Sequence, residues 1–411
     1  MDAGTIAWVL MSSALVVFMV PGLALFYGGM DRSKNVLNML NMNMYCVGIV
    51  PLLWVLFTYS LGNSANEDKS GFFGGELIGD FEVIGLKDLS GNTEALLFVA
   101  FWATFAAITP ALISGAVADR MKFSAWALFV PLWSILVFTP VWYWVYSGWH
   151  KELSPEAIDF AGGTAIHINA GVGALALVIV LGKRKGWPEE SAPPHNLPLV
   201  VLGTGILWFG WFGFNAGSAG DANGQAVQAF LNTFVAASAG MLAWLAVEKI
   251  RDGHATTLGA ASGVVAALVA ITPAAGYVGG LSAIVFGAVS GVACYFAIQL
   301  KARFGYDDSL DVVGIHGVGG LVGGLLLAFF ADAEIGGADG VFFGDAGLLW
   351  SQLLAMGSVI IFSFAVTYAI AKVLDATMGL RVSEEAEALG LDQAEHAETA
   401  YNLQDSSYGR A

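Results

Sequence analysis

His167 and His316 lie inside long apolar runs, where an ionisable side chain is costly and usually has a task. The other four histidines, His150, His195, His254 and His396, fall in loops or the tail. A neutral imidazole has one donor and one acceptor nitrogen, and it can change charge near neutral pH. Two facing imidazoles can share one hydrogen bond and leave their outer nitrogens for a passing molecule. Such a pair rests neutral yet is able to pass a proton. A single buried histidine is as readily a packing residue bonded to a neighbouring helix. Two at related positions of two half-chains weaken that reading. No Cys or carboxylate is spaced with them in a zinc pattern, so neither a metal nor another cofactor is expected.

Aromatic residues form the second constellation. FWATF places Phe101 and Phe105 one above the other at i, i+4. WFGWFGFNAGS sets Trp208, Trp211 and Phe214 at i, i+3, i+6 and ends on Ser218. VWYWVYSGW carries Trp142, Trp144, Tyr146 and Trp149. Taken singly, such residues usually belong to interfacial belts. Together, their ring faces could cage a small cation, with the Ser218 hydroxyl accepting from an N–H donor. A deeper phenylalanine pair could gate a pore dry enough to reject hydrated ions. Asp159 opens DFAGG, where a carboxylate can accept from the first free backbone N–H groups of a helix. Its charge could also draw a cation to the mouth, and the two roles are compatible. Asp311 could cap the later DVVGIHG segment in the same way.

The elements that must hold these residues are helices of bilayer length. The 411-residue chain is 57% hydrophobic and 12% charged, against about 25% charged in soluble domains. That is too little polar surface for a water-facing protein of this size. It excludes a typical cytosolic enzyme and a disordered chain, and the formal charge of -16 argues separately against a nucleic-acid partner. Cys46 and Cys294 both lie in apolar runs and read as packing residues. GVGALAL and GVGGLVGGLLL place small residues where helices can approach closely. Pro110 and Pro273 follow AAIT and VAIT, whose threonines can serve carbonyls that the prolines leave free.

Charges and loop residues divide the chain into about eleven spans, near 5–30, 36–62, 94–118, 123–146, 161–182, 197–216, 225–248, 256–273, 277–301, 312–331 and 346–375. The first span lacks a basic leader and is too long for the core of a signal peptide. Alternate loops carry nearly all Lys and Arg, leaving Lys69, Lys87 and Lys151 to the others. Basic loops face the cytoplasm, which sets the N-terminus outside and the C-terminus inside. The expected fold is an all-α polytopic membrane protein with an inverted five-helix pseudo-repeat, about 1–182 and 197–331, plus a long eleventh helix about 346–375. A transmembrane domain, 1–375, precedes a cytoplasmic tail, 376–411, in which EEAEALGL reads as a short helix.

DFAGGTAIHINAG, PHNLP, GWFGFNAGSAG, ITPAAGYVGG and DVVGIHGVGG, with PGLALFYGGM in the first span and GLRV at the start of the tail, resemble the ammonium transporter family (Amt/Mep/Rh), and within it the bacterial and archaeal Amt branch. The likeness covers nearly the whole chain. It implies a multi-pass protein of the cell membrane, assembled as a homotrimer with one pore per subunit. It further implies NH4+ recruitment at Phe101, Ser218 and a span-four aromatic, a gate of Phe105 and Phe214, twin pore histidines His167 and His316, a pore-lining Trp211 and a structural Asp159. The family's mouth tryptophan falls on Tyr146, with Trp144 and Trp149 close by. The resemblance implies ammonium deprotonation at the mouth, NH3 conduction and a proton relay through the histidines, making transport electrogenic. It also implies a PII-type signal protein at the cytoplasmic face and the tail. The alternatives are a passive NH3 channel, or an ammonium sensor with the same fold, which usually carries a signalling domain longer than this tail. A potassium-type channel would want a carbonyl-lined filter, and no nucleophile–base pair in the spans suggests an enzyme.

Overall fold

In a computed structural model, residues 1–63, 75, 77–189 and 192–401 are described. Lys69 of the outer segment and Arg410 of the tail, both used in the charge count, lie outside them. Among the described residues, ten helical spans are long and apolar enough to cross a bilayer. They are α1 (Ala3–Met30), α2 (Val36–Asn63), α3 (Thr93–Val117), α4 (Phe123–Glu152), α5 (Gly163–Leu181), α6 (Leu197–Gly217), α7 (Gly224–Arg251), α9 (Gly280–Phe304), α10 (Val313–Phe330) and α11 (Gly347–Met378). Between α7 and α9 lies a shorter apolar helix, α8 (Thr257–Ile271). The described residues contain no strand, only an isolated bridge between Met121 and Arg381. With apolar residues all around each helix, partners are chosen by close packing rather than by an apolar stripe.

Glycines set the closest approaches. A Cβ on Gly203 of α6 would lie 2.4 Å from Phe26 N of α1, and one on Gly171 of α5 would lie 2.3 Å from Gly317 N of α10. Both would meet backbone, which cannot turn aside. Pro110 remains inside α3, whereas α8 ends just before Pro273. Thr109 and Thr272 donate to the Phe105 and Leu268 carbonyls at 2.6 and 2.7 Å. Each carbonyl lies one residue before the one its proline leaves without a helical donor.

α5 and α10 are built alike. Each opens with a π-helical turn, Gly163–Ile168 and Val313–Val318, that contains its histidine. Gly162 precedes the first turn at φ +110°, a conformation that only glycine adopts freely, and a Cβ there would strike Ile166. The expected cap of α10 moves. Asp308, not Asp311, accepts from Val312 N and Val313 N at 3.1 and 2.7 Å. Asp311 instead sits at φ +66° and pairs with Lys301 at 2.5 Å. The reason is the loop. The chain makes a further bend after Asp308, so the acid nearest the apolar run is not the one facing the free amides.

The tail helices α12 (Glu384–Leu389) and α13 (Leu391–His396) split the single helix expected there. They lie against their own subunit. Asn35 Oδ1 accepts from Leu391 N, Asp392 accepts from Asn38 N, Glu395 from Phe123 N and Glu387 from Lys185 N. Next to Lys185, Arg184 forks onto Asp307 at 2.8 Å. Burial pushes the Asp307 carboxyl up, but the Arg184 and Arg120 guanidiniums outweigh it and hold it below the usual carboxylate range.

Gly171→Ala is expected to lower stability by roughly 1–3 kcal/mol through forced separation of α5 and α10. Gly205→Ala, with open space at its Cβ position, is expected to leave stability unchanged. Apparent Tm of the detergent-solubilised proteins checks both.

Candidate functional site

The two histidines meet. His316 Nδ1 lies 3.2 Å from His167 Nδ1, with ring centroids 5.3 Å apart and planes 17° from parallel. One Nδ1 must donate and the other accept. The two rings are then opposite tautomers, one with a protonated Nε2 and the other with a bare Nε2. His167 Nε2 is buried and has no hydrogen-bond partner among the described residues. Its neighbours are aromatic: Trp211 stacks on His167 at 5.4 Å and 18°, and Phe214 lies at 6.0 Å. The Trp211 indole N–H points elsewhere, donating to Thr272 Oγ1 at 2.9 Å.

Around this pair lies a cavity of about 10 Å³ lined by side chains including Leu23, Ile108, Leu112, Leu207, Trp211 and both histidines. Room of that size holds about one water-sized molecule, and its walls offer nothing polar beyond the imidazoles. A second cavity of about 90 Å³, a vestibule, is also lined by His316.

Above the histidines an aromatic column closes the path. Phe214 and Phe105 lie 4.4 Å apart, and Phe105 and Phe101 4.9 Å apart. All three are buried. Ser218 is half-buried at the end of α6, its hydroxyl donating to Phe214 O at 2.8 Å with lone pairs still free to accept. The structure separates the span-four candidates. Tyr146, half-buried, stacks on Trp102 at 6.2 Å and 22° and touches Trp142 at 4.5 Å, which joins it to the Phe101–Phe105 column. Trp144 faces the other way. It packs on Phe362 of α11 at 4.6 Å, lies beside Trp149 and His150, and donates to Leu77 O at 2.7 Å.

Asp159 accepts four backbone N–H groups, from Gly162, Gly163, Thr164 and Ala165, at 2.6–2.9 Å. That fixes the turn carrying His167. Asp308 does the same for the turn carrying His316, and each aspartate stands eight residues before its histidine (159 to 167, 308 to 316). Burial pushes Asp308 up to about 6, against the Lys301 charge and the two amide donors. Sequence reasoning missed Asp308 and Trp102, and it assigned Thr272 to a helix carbonyl without the bond it accepts from Trp211. Counting back from each histidine, rather than choosing the acid nearest the run, would have found Asp308.

A bundle of bilayer-length helices around a small apolar cavity, in which the two imidazoles are the polar groups among the described lining residues, defines a membrane transport protein for a small solute. The chain belongs to the Ammonium Transporter Family, whose model matches residues 7–401. It is 49% identical to an ammonium transporter of Mycobacterium tuberculosis over 98% of this chain and 91% of that one. The crystal structure of Saccharomyces cerevisiae Mep2 superposes with a TM-score of 0.85 at 34% identity, covering 94% of this chain and 88% of that chain. A structure described as a sensor Amt protein superposes with a TM-score of 0.88 at 28% identity, covering 96% and 98%. The protein is a multi-pass membrane protein of ammonium transport, not an enzyme.

Removing the Asp159 cap is expected to destabilise by about 1–2 kcal/mol, and Asp308→Ala by less, because Asp308 accepts two amides rather than four. Apparent Tm values of Asp159→Ala and Asp308→Ala in detergent give the order.

Proposed function

We propose that this chain carries ammonium across the cell membrane by recruiting NH4+ at an outer mouth of Phe101, Tyr146 and Ser218 and removing a proton there. NH3 then passes the Phe105–Phe214 gate along His167 and His316, with Trp211 beneath the gate, while the proton crosses separately along the imidazole pair. The observation that carries the reading is the 3.2 Å imidazole contact, with its unpartnered His167 Nε2, inside an otherwise apolar passage.

Ammonium and potassium are nearly the same size, so a pore cannot separate them by diameter. Ammonium differs in having four N–H donors and a proton it can lose. Aromatic faces attract the cation, and the Ser218 hydroxyl can accept one N–H. The apolar passage penalises any bare ion, because nothing there replaces its water. Loss of the proton removes the charge, and the remaining NH3 meets imidazole nitrogens that can donate to it or accept from it. Potassium has no such route. Opposite tautomers suit a relay: a proton arriving on the bare Nε2 of one ring releases the shared Nδ1 proton to the other, which frees its own Nε2 proton on the far side. Asp159, with both oxygens engaged by backbone amides, holds the outer turn in place and adds negative charge near the mouth. Trp144, turned toward α11, has no part in recruitment.

The reading includes an N-out, C-in orientation and a homotrimer. Residues from 376 onward form a cytoplasmic tail available to a PII-type signal protein. Its described part already braces several inner loops of its own subunit. A second reading is suggested by the superposition on the sensor Amt protein: occupancy is reported with little flux. Growth of a transporter-deficient host on limiting ammonium separates the two, wild type restoring growth and His316→Ala failing to.

Two further measurements test the mechanism. In proteoliposomes, His167→Asp is expected to abolish the proton-coupled current pulse or admit potassium; unchanged current with potassium still excluded removes the relay. Tyr146→Trp is expected to lower the half-saturating outer ammonium concentration about two- to fivefold, because indole is the stronger cation–π partner; concentration-dependent currents read this directly.

A further inference from the structure

The vestibule beyond His316 contains two carboxylates, and they are not equivalent. Asp311 is paired with Lys301 at 2.5 Å. Glu248, near the end of α7, lines the same space, and it has no cationic partner among the described residues. Its hydrogen bonds come from Thr256 alone, from N at 2.8 Å and from Oγ1 at 2.9 Å. These leave lone pairs on both oxygens free. The nearby Lys249 is turned away, its ammonium bonded to Gly253 O at 2.8 Å. Asp308 is buried and engaged by its two amides. Among the described residues lining this vestibule, Glu248 is therefore the uncompensated negative charge. Ser262, from α8, adds a half-buried hydroxyl to the same lining.

We infer that Glu248 forms an inner ammonium site, a carboxylate that holds NH4+ after NH3 has regained a proton and that recruits NH4+ when flux runs outward. This rests on the transport reading above and goes beyond it by giving the inner end a cation-selective group of its own. No aromatic cage is needed at this end, since a half-exposed carboxylate attracts the ion by charge. The proton balance is simple: NH3 leaving His316 takes one proton, delivered along the imidazoles or from vestibule water, and Glu248 remains ionised as the counter-charge. Asp311 cannot take this role while Lys301 neutralises it.

The bland alternative is that Glu248 only caps α8 through Thr256. Two variants in full-length protein, reconstituted with known orientation, separate the roles. Glu248→Gln keeps an acceptor for Thr256 and removes the charge. Thr256→Val removes the hydroxyl bond to Glu248 and keeps the charge. Ammonium-jump currents are recorded with ammonium added at the outer or the inner face. The expected result is that Glu248→Gln raises the half-saturating inner concentration roughly fivefold, the effect of one exposed charge pair, with the outer value unchanged, while Thr256→Val leaves both near wild type. Equal inner values for Glu248→Gln and wild type, or the same inner shift in Thr256→Val, overturn the proposal. Wild-type protein that gives no current from either face would instead overturn the transport reading.

Discussion

The contact between His167 and His316 exists because α5 and α10 approach until their backbones touch. Gly171 and Gly317 stand at that crossing, with no room for a Cβ on Gly171. Imidazoles are short side chains, and two of them reach one another only across helices this close. The approach is possible only where neither helix carries bulk, which is one reason the segments after both histidines are rich in glycine. The rest of the site is arranged around that crossing. Asp159 and Asp308 each gather the free amides of a π-helical turn and so fix where the histidine leaves the backbone. Two distant stretches of chain are thereby held in register by packing and backbone hydrogen bonds.

This arrangement keeps polar groups in short supply along the passage. Threonine hydroxyls near the lumen are spent on backbone carbonyls, and the aromatic column presents ring faces and edges. A buried polar atom without a partner is unusual, and His167 Nε2 is such an atom in a place where a small solute with N–H donors and a lone pair can supply the bond. Stability and the proposed transport meet here: the packing that shapes the cavity beside the histidines also lines it with hydrocarbon, which penalises a bare ion.

Much of this was legible in the sequence. The histidines stood out as ionisable residues within apolar runs, Phe101 and Phe105 followed from their i, i+4 spacing, and the family motifs gave the remaining column. What could not be read was rotation and folding back. Trp144 and Tyr146 lie two residues apart, about 200° around a helix, so one joins the Phe101–Phe105 column through Trp102 when the other packs on Phe362. Only the packing of α4 against α3 and α11 decides which. Asp311 looked like a cap because it adjoins the apolar run, but the bend after Asp308 gives the amides to the earlier acid. The tail reads as a polar, acidic stretch, and its acceptors find the amides of Asn38, Phe123 and Lys185, which no local pattern announces.

The orientation of one indole has an effect beyond its own packing. Because Trp211 gives its hydrogen to Thr272, its large ring adjoins the His167 imidazole as a surface with no donor to offer. Among the described residues that line the cavity, the two five-membered rings are left as its polar stepping stones. On the transport reading proposed above, affinity stays shallow within the channel and is concentrated at its ends, the profile that favours fast turnover over tight capture.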